Sequence, residues 1–178
     1  MRRARRLVLA LALTLAVGGC SCSRDTGPAP LSEQQLARIP PVTPEGLQSL
    51  LAEQQGKVVV LAVWSVTRQA SLAVYPKLGD LAGAGGEPVV IAVNIDHVDD
   101  VRDQVLPLLD KHQPTFVNRV CRVGPEGLAS FMDMRWSGQV PALSLFDRGG
   151  KKVATFHGPG AFAKAQAVLP TLLKSAKR

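Results

Sequence analysis

The stretch Val58–Leu78, VVVLAVWSVTRQASLAVYPKL, decides the fold. From Lys57 to Val63 the chain is a continuous β-branched and aliphatic run, the pattern of a strand buried on both faces rather than one alternating between core and solvent. The run stops at Trp64 and turns polar through Ser65, Thr67 and Arg68. It then continues as a helix from Thr67 to about Asp80 that carries Pro76. The Gly-rich AGAGGEP, 82–88, closes that helix. A buried strand feeding a helix through a short polar turn is the unit of an α/β fold.

Downstream, PVVIAVNID (88–96) predicts a second buried strand, and 99–111 a helix with Val101, Val105 and Leu108 or Leu109 on one face. TFVNRVC (115–121) reads as a short edge strand, and 125–136 as a short amphipathic helix carrying Leu128, Phe131 and Met132. VPALSLFDRGGKKVATFHG (140–158) alternates around Gly149–Gly150, a β-hairpin signal. A last helix from about Gly160 to Ser175 is interrupted or ended by Pro170. The expected class is α/β, a central mixed sheet flanked by helices.

Upstream, Thr43 is placed as an N-cap, Pro44 at the first helical position and Gly56 as the stop of one short helix. Residues 20–44, with Ser, Gly, Pro and Gln and few large apolar residues, read as a flexible tether, with a short helix in LSEQQLAR (31–38). Residues 1–19 have a basic start, an apolar stretch from Leu7 and small residues before Cys20, the form of a secretory signal. VGGC (17–20) resembles the bacterial lipobox, which implies cleavage before Cys20 and its acylation; an ordinary signal peptide cut nearby is the alternative. The domain proper is 45–178.

The formal net charge of +7 owes four units to Arg2, Arg3, Arg5 and Arg6, which leaves +3 after processing. No nucleic-acid partner follows, and KSAKR (174–178) reads as a solvated helix end. Of three cysteines, Cys20 is the lipid site, Cys22 lies in the tether and Cys121 alone is in the domain. His97, His112 and His157 have no ligand spacing, so neither metal nor cofactor is expected.

The order βα-βα, then a hairpin and a last helix, resembles the thioredoxin fold, and more narrowly the TlpA-like membrane-anchored thioredoxins, over roughly Leu47 to Leu173. That family ends its first strand in W-x-x-W-C-x-x-C-x-x-x-x-P and its second in VNxD. It opens the hairpin at a cis-proline followed by xxxFDxxGxxVxxxxG. Here AVNID (92–96), Pro141, LFDRGGKKV (145–153) and Gly158 fit. Trp64 and Pro76, twelve apart as in the family, place Thr67 at the second Trp, Arg68 at the first Cys and Ser71 at the second. A register that sets Trp64 immediately before the motif gives Ser65 and Arg68 instead. Neither register contains a thiol.

Disulfide exchange needs an activated thiolate and a second thiol to resolve the mixed disulfide. Serine supplies neither, and Arg68 at a helix start reverses the sign of the site. The resemblance therefore implies a degenerate active site, redox-inactive and acting in protein binding in the cell envelope. The alternative is an oxidoreductase of the same class working through Cys121 or an external thiol. Groove candidates are Trp64, Thr67, Arg68, Ser71, Val140 and Pro141, lying against an extended peptide or protein partner. Arg68 is read as a contact to an anion or peptide carboxylate, or as a solvated surface arginine. Pro141 is read as part of a peptide-presenting loop, or as an inherited turn. Cys121 reads first as a small buried hydrophobe.

Overall fold

In the computed structural model, which describes residues 29–82, 86–133 and 136–175, the apolar run after Lys57 is the central strand of a six-stranded mixed sheet. The signal segment, Cys20 and Cys22 lie outside the described residues. In chain order the elements are α1 (Glu33–Arg38), β1 (Pro41–Val42), α2 (Pro44–Ala52), β2 (Val59–Trp64), α3 (Gln69–Val74), a 3-10 turn (Tyr75–Lys77) and α4 (Leu78–Leu81). There follow β3 (Val89–Asn94), α5 (Val98–Asp100), a π-helical turn (Val101–Val105), α6 (Leu106–His112), β4 (Val117–Cys121) and a 3-10 turn (Pro125–Leu128). The chain ends with β5 (Ala142–Phe146), β6 (Lys152–His157) and α7 (Ala161–Ser175).

The strand order is β1-β4-β3-β2-β5-β6. β1, β4, β3 and β2 run parallel, while β5 pairs antiparallel with both β2 and β6. All six residues of β2 are buried, as its unbroken apolar run requires. Val58, Val60, Ala62 and Trp64 face one layer of core with Tyr75, Leu78, Val101, Val105 and Ala161. Val59, Leu61 and Val63 face the other with Leu47, Leu128, Met132 and Trp136. Each large aliphatic side chain so buried stabilises the fold by about 1.5–3 kcal/mol relative to exposure.

The tether is shorter on its C-terminal side than its composition implies. Ser32 caps α1 in a reciprocal capping box with Gln35, Ile39 is fully buried, and β1 pairs Pro41 with Val120 and Val42 with Cys121. β4 is therefore an inner strand, and β1 takes the edge expected of it.

The helix expected over 67–80 begins at Gln69 and breaks at Pro76, which has no N–H to continue the ladder and sits at the start of the 3-10 turn. The opposite holds at Pro170, inside α7. There Pro170 and Gln166 are both exposed, so the carbonyl that loses its partner meets water while Leu169 stays buried. The helix expected over 125–136 is only the 3-10 turn Pro125–Leu128. Beyond it the carbonyls are taken by other elements: Ser144 Oγ donates to Phe131 O (2.9 Å), and Lys152 Nζ to the carbonyls of Ser130 and Met132. α2 ends at Ala52 rather than at Gly56, whose N–H donates to Arg148 O (2.8 Å) at a φ of 90°. No helix among the described residues is long and apolar enough to cross a membrane.

Candidate functional site

The C-terminal ends of β2 and β3 and the N-terminal end of β5 meet at one end of the sheet, since Trp64 pairs with Asn94 and Val63 with Ala142. The chain leaves β2 there through Ser65–Arg68, and the turn is held by one carboxylate. Asp96 accepts the Val66 N–H (2.7 Å), the Asn94 side-chain amide (2.6 Å) and the Ser65 hydroxyl. Ser65 Oγ also lies 2.7 Å from Thr67 Oγ1 and accepts the Thr67 N–H (3.1 Å). In sequence, AVNID is only a fold signature; in the structure its Asn94 and Asp96 fix the turn.

Arg68 stands as the N-cap of α3 with extended backbone, and Ser71 is three residues into the helix. The Arg68 side chain makes no capping hydrogen bond and is exposed. Among the described residues it has no hydrogen-bond or ion-pair partner, and it lines the groove described below. Ser71 is fully buried, and its Oγ has no hydrogen-bond partner. A core hydroxyl left without a partner costs roughly 1–3 kcal/mol.

The Val140–Pro141 peptide bond is cis. Pro141 is buried, and its carbonyl accepts the Gly158 N–H (2.9 Å), which ties the loop to the end of β6. Val140, half-buried, has no backbone hydrogen-bond partner among the described residues. With Ser65, Thr67, Arg68, Asp96, His97, Asp100, Pro125 and Gly138 it lines an open groove of about 370 Å³. Thr67, Arg68 and Val140 are thus brought together on one surface, whereas Trp64, Ser71 and Pro141 lie beneath it. Trp64, expected in the groove, is 1% exposed and stacks on Tyr75 at 3.9 Å between ring centroids. The Tyr75 hydroxyl in turn donates to Asn118 Oδ1 (2.8 Å), and burial pushes its pKa up. That aromatic pair is the floor supporting the turn, not a contact surface.

A second cleft, of about 520 Å³, adjoins the groove through the shared residues Ile95, Asp96 and His97. Leu31, Val98, Val101, Val120 and Cys121 also line it. Cys121 is 3% exposed, and burial is the main cause that raises its thiol pKa. At neutral pH it is a protonated thiol, distant in sequence and in strand order from Arg68 and Ser71. Among the described residues no group of three His, Cys, Asp or Glu side chains is placed to hold a metal ion.

This arrangement, four strands in parallel with an antiparallel hairpin entered at a cis-proline, is a thioredoxin-like fold, and solved structures agree. A thioredoxin-like superfamily protein matches at 21% identity and TM-score 0.56, over 69% of this chain and 84% of that one. A DsbF homologue from Corynebacterium diphtheriae matches at 18% identity and TM-score 0.56, over 68% of this chain and 76% of that one. A secreted disulfide oxidoreductase of Mycobacterium tuberculosis, homologous to E. coli DsbE, matches at 17% identity and TM-score 0.53, over 79% of this chain and all of that one. No protein-family model and no curated protein sequence matches the chain.

Proposed function

We propose that this is an exported, lipid-anchored thioredoxin-like protein that binds an extended segment of another envelope protein without thiol chemistry. The observation that carries the reading is the backbone of Val140, without a hydrogen-bond partner among the described residues and lining the same groove as Arg68; the resemblance sets Arg68 and Ser71 at the two thiol positions of the thioredoxin-like frame. An extended peptide laid along Val140 would pair with its N–H and C=O, as added strands do. Arg68 would then face a carboxylate on that peptide from across the groove.

A second reading, a thiol-disulfide oxidoreductase of the TlpA-like class using Cys121 or an external thiol, is favoured by the disulfide chemistry of the similar secreted oxidoreductase and by the place of Cys121 on a cleft wall. Against it, a thiol whose pKa is raised by burial is a poor nucleophile, and no second described cysteine is present to resolve a mixed disulfide.

The test is a photo-crosslinking amino acid at Val140 in intact cells. A discrete adduct that is lost when Arg68→Glu is added supports the binding reading. An adduct pattern indifferent to Arg68, or none, overturns it.

A further inference from the structure

We infer that the groove beside Val140 opens toward the bilayer, and that its partner is the extended, membrane-proximal segment of an integral envelope protein. This rests on the lipid-anchored, peptide-binding reading above and adds where the partner must come from.

The described chain enters the fold at the site's own end. The Ala29 carbonyl accepts a hydrogen bond from the Arg102 guanidinium, and Pro30 and Leu31 form the lip of the 520 Å³ cleft, with Leu31 only 7% exposed. That cleft and the groove adjoin across Ile95, Asp96 and His97, and together they form the two halves of a trough between Val140 and Leu31 that those three residues border on both sides. The Gly149–Gly150 turn lies at the opposite pole, because β5 runs antiparallel to β2 and pairs Phe146 with Val59 at its far end.

Cys20 precedes Ala29 by nine residues, a contour of at most about 32 Å and a root-mean-square reach of about 15–18 Å. A domain of this length is roughly 38 Å across. For the hairpin pole to rest on the bilayer, the tether would have to run about 50 Å down that surface, about one and a half times its contour. An anchored molecule therefore keeps the hairpin pole off the membrane, and the corner of Leu31, His97 and Arg102, with the trough beside it, is the end the tether draws toward the bilayer.

The chemistry of the trough matches that position. Below the Leu31 lip it is lined by Ile95, Val98, Val101 and Val120, a seat for one large apolar side chain, while Val140 offers backbone pairing at the other end. Segments that flank a membrane span are rich in Trp and Tyr at the headgroup level. The assigned occupant is such a segment, extended, with an aromatic side chain in the cleft.

Two measurements test this on the full-length acylated protein. In phosphatidylethanolamine and phosphatidylglycerol vesicles carrying a headgroup nitroxide, a fluorophore is placed at His97→Cys or at Gly149→Cys in a Cys22→Ser background. Quenching at position 97 several-fold above that at 149 supports the orientation. Equal or reversed quenching overturns it, and protein that does not sediment with the vesicles overturns the anchoring reading as well. In cells, the adduct formed at Val140 is then mapped by mass spectrometry. An adduct within about ten residues of a transmembrane span, the length that ~32 Å of extended chain covers, supports the partner class. An adduct with a soluble protein overturns the partner class and leaves the peptide-binding reading standing, whereas absence of any adduct removes both.

Discussion

Asp96→Ala removes the carboxylate on which three hydrogen bonds of the turn beneath the groove converge. Three donors converge on this carboxylate, and two of them, the Val66 N–H and the Asn94 amide, belong to residues that are 5% and 0% exposed. Ser65 keeps its partner in Thr67, but the other two are left without an acceptor. Each buried donor so orphaned costs roughly 1–3 kcal/mol. Asp96 itself is half-buried, so water replaces part of the loss, and the expected destabilisation is about 2–4 kcal/mol. For a domain of this size that lowers Tm by about 5–15 °C. Asp96→Asn keeps one acceptor oxygen and loses about half as much. Urea unfolding at pH 7 reads this as a lowered midpoint with an unchanged slope. A loss under about 0.5 kcal/mol for Asp96→Ala, the range of an ordinary surface substitution, would refute the account of how the turn is built.

Ile39→Ala separates a packed N-terminal segment from a tether: full burial predicts a cost of about 2–4 kcal/mol in the same unfolding assay, where a solvated residue would cost almost nothing. Arg148 donates two hydrogen bonds to Glu87 and holds its carboxyl below the usual range. Its stabilisation is therefore present above the unfolded carboxylate pKa and is lost as pH falls through the lowered folded value. The stability difference between the wild type and Glu87→Gln should shrink in unfolding curves taken from pH 6 down to pH 3. Native Cys121, buried with a raised thiol pKa, should react with iodoacetamide at pH 7 at least about 100-fold more slowly than in 8 M urea, and mass spectrometry of the alkylated peptide measures the ratio.

Much of this fold is legible along the chain because its strands are buried on both faces and carry no competing pattern. The β2 and β3 runs read directly as strands, and β5, expected to alternate, is in fact buried throughout between β2 and β6. The misreadings share one cause, tertiary contacts that local pattern does not encode. The segment around Ile39 and Val42 is proline-rich and has no helical or strand periodicity, so only its docking on β4 marks it as part of the domain. The carbonyls of residues 130–132 are satisfied by Lys152 and Ser144, some twenty and a dozen residues away, so an amphipathic sequence does not become a helix. At the site, the sequence sets the helix start at Thr67, two residues before α3 begins at Gln69 with Arg68 as its N-cap. That Trp64 would be buried against Tyr75, and that Asp96 would pin the turn, depended on side chains meeting across the sheet end.

The most direct test of a thioredoxin-like frame without its chemistry is steady-state reduction of a protein disulfide by the wild type and by Arg68→Cys with Ser71→Cys, side by side. Arg68 and Ser71 stand at the N-cap and third position of α3, so the restored pair lies where an activated and a resolving thiol would sit. The account predicts no wild-type turnover above an equal concentration of free cysteine, and turnover in the double variant with two titratable thiols lost on oxidation. Wild-type turnover abolished by Cys121→Ser, or a folded double variant that forms no intramolecular disulfide, would contradict it.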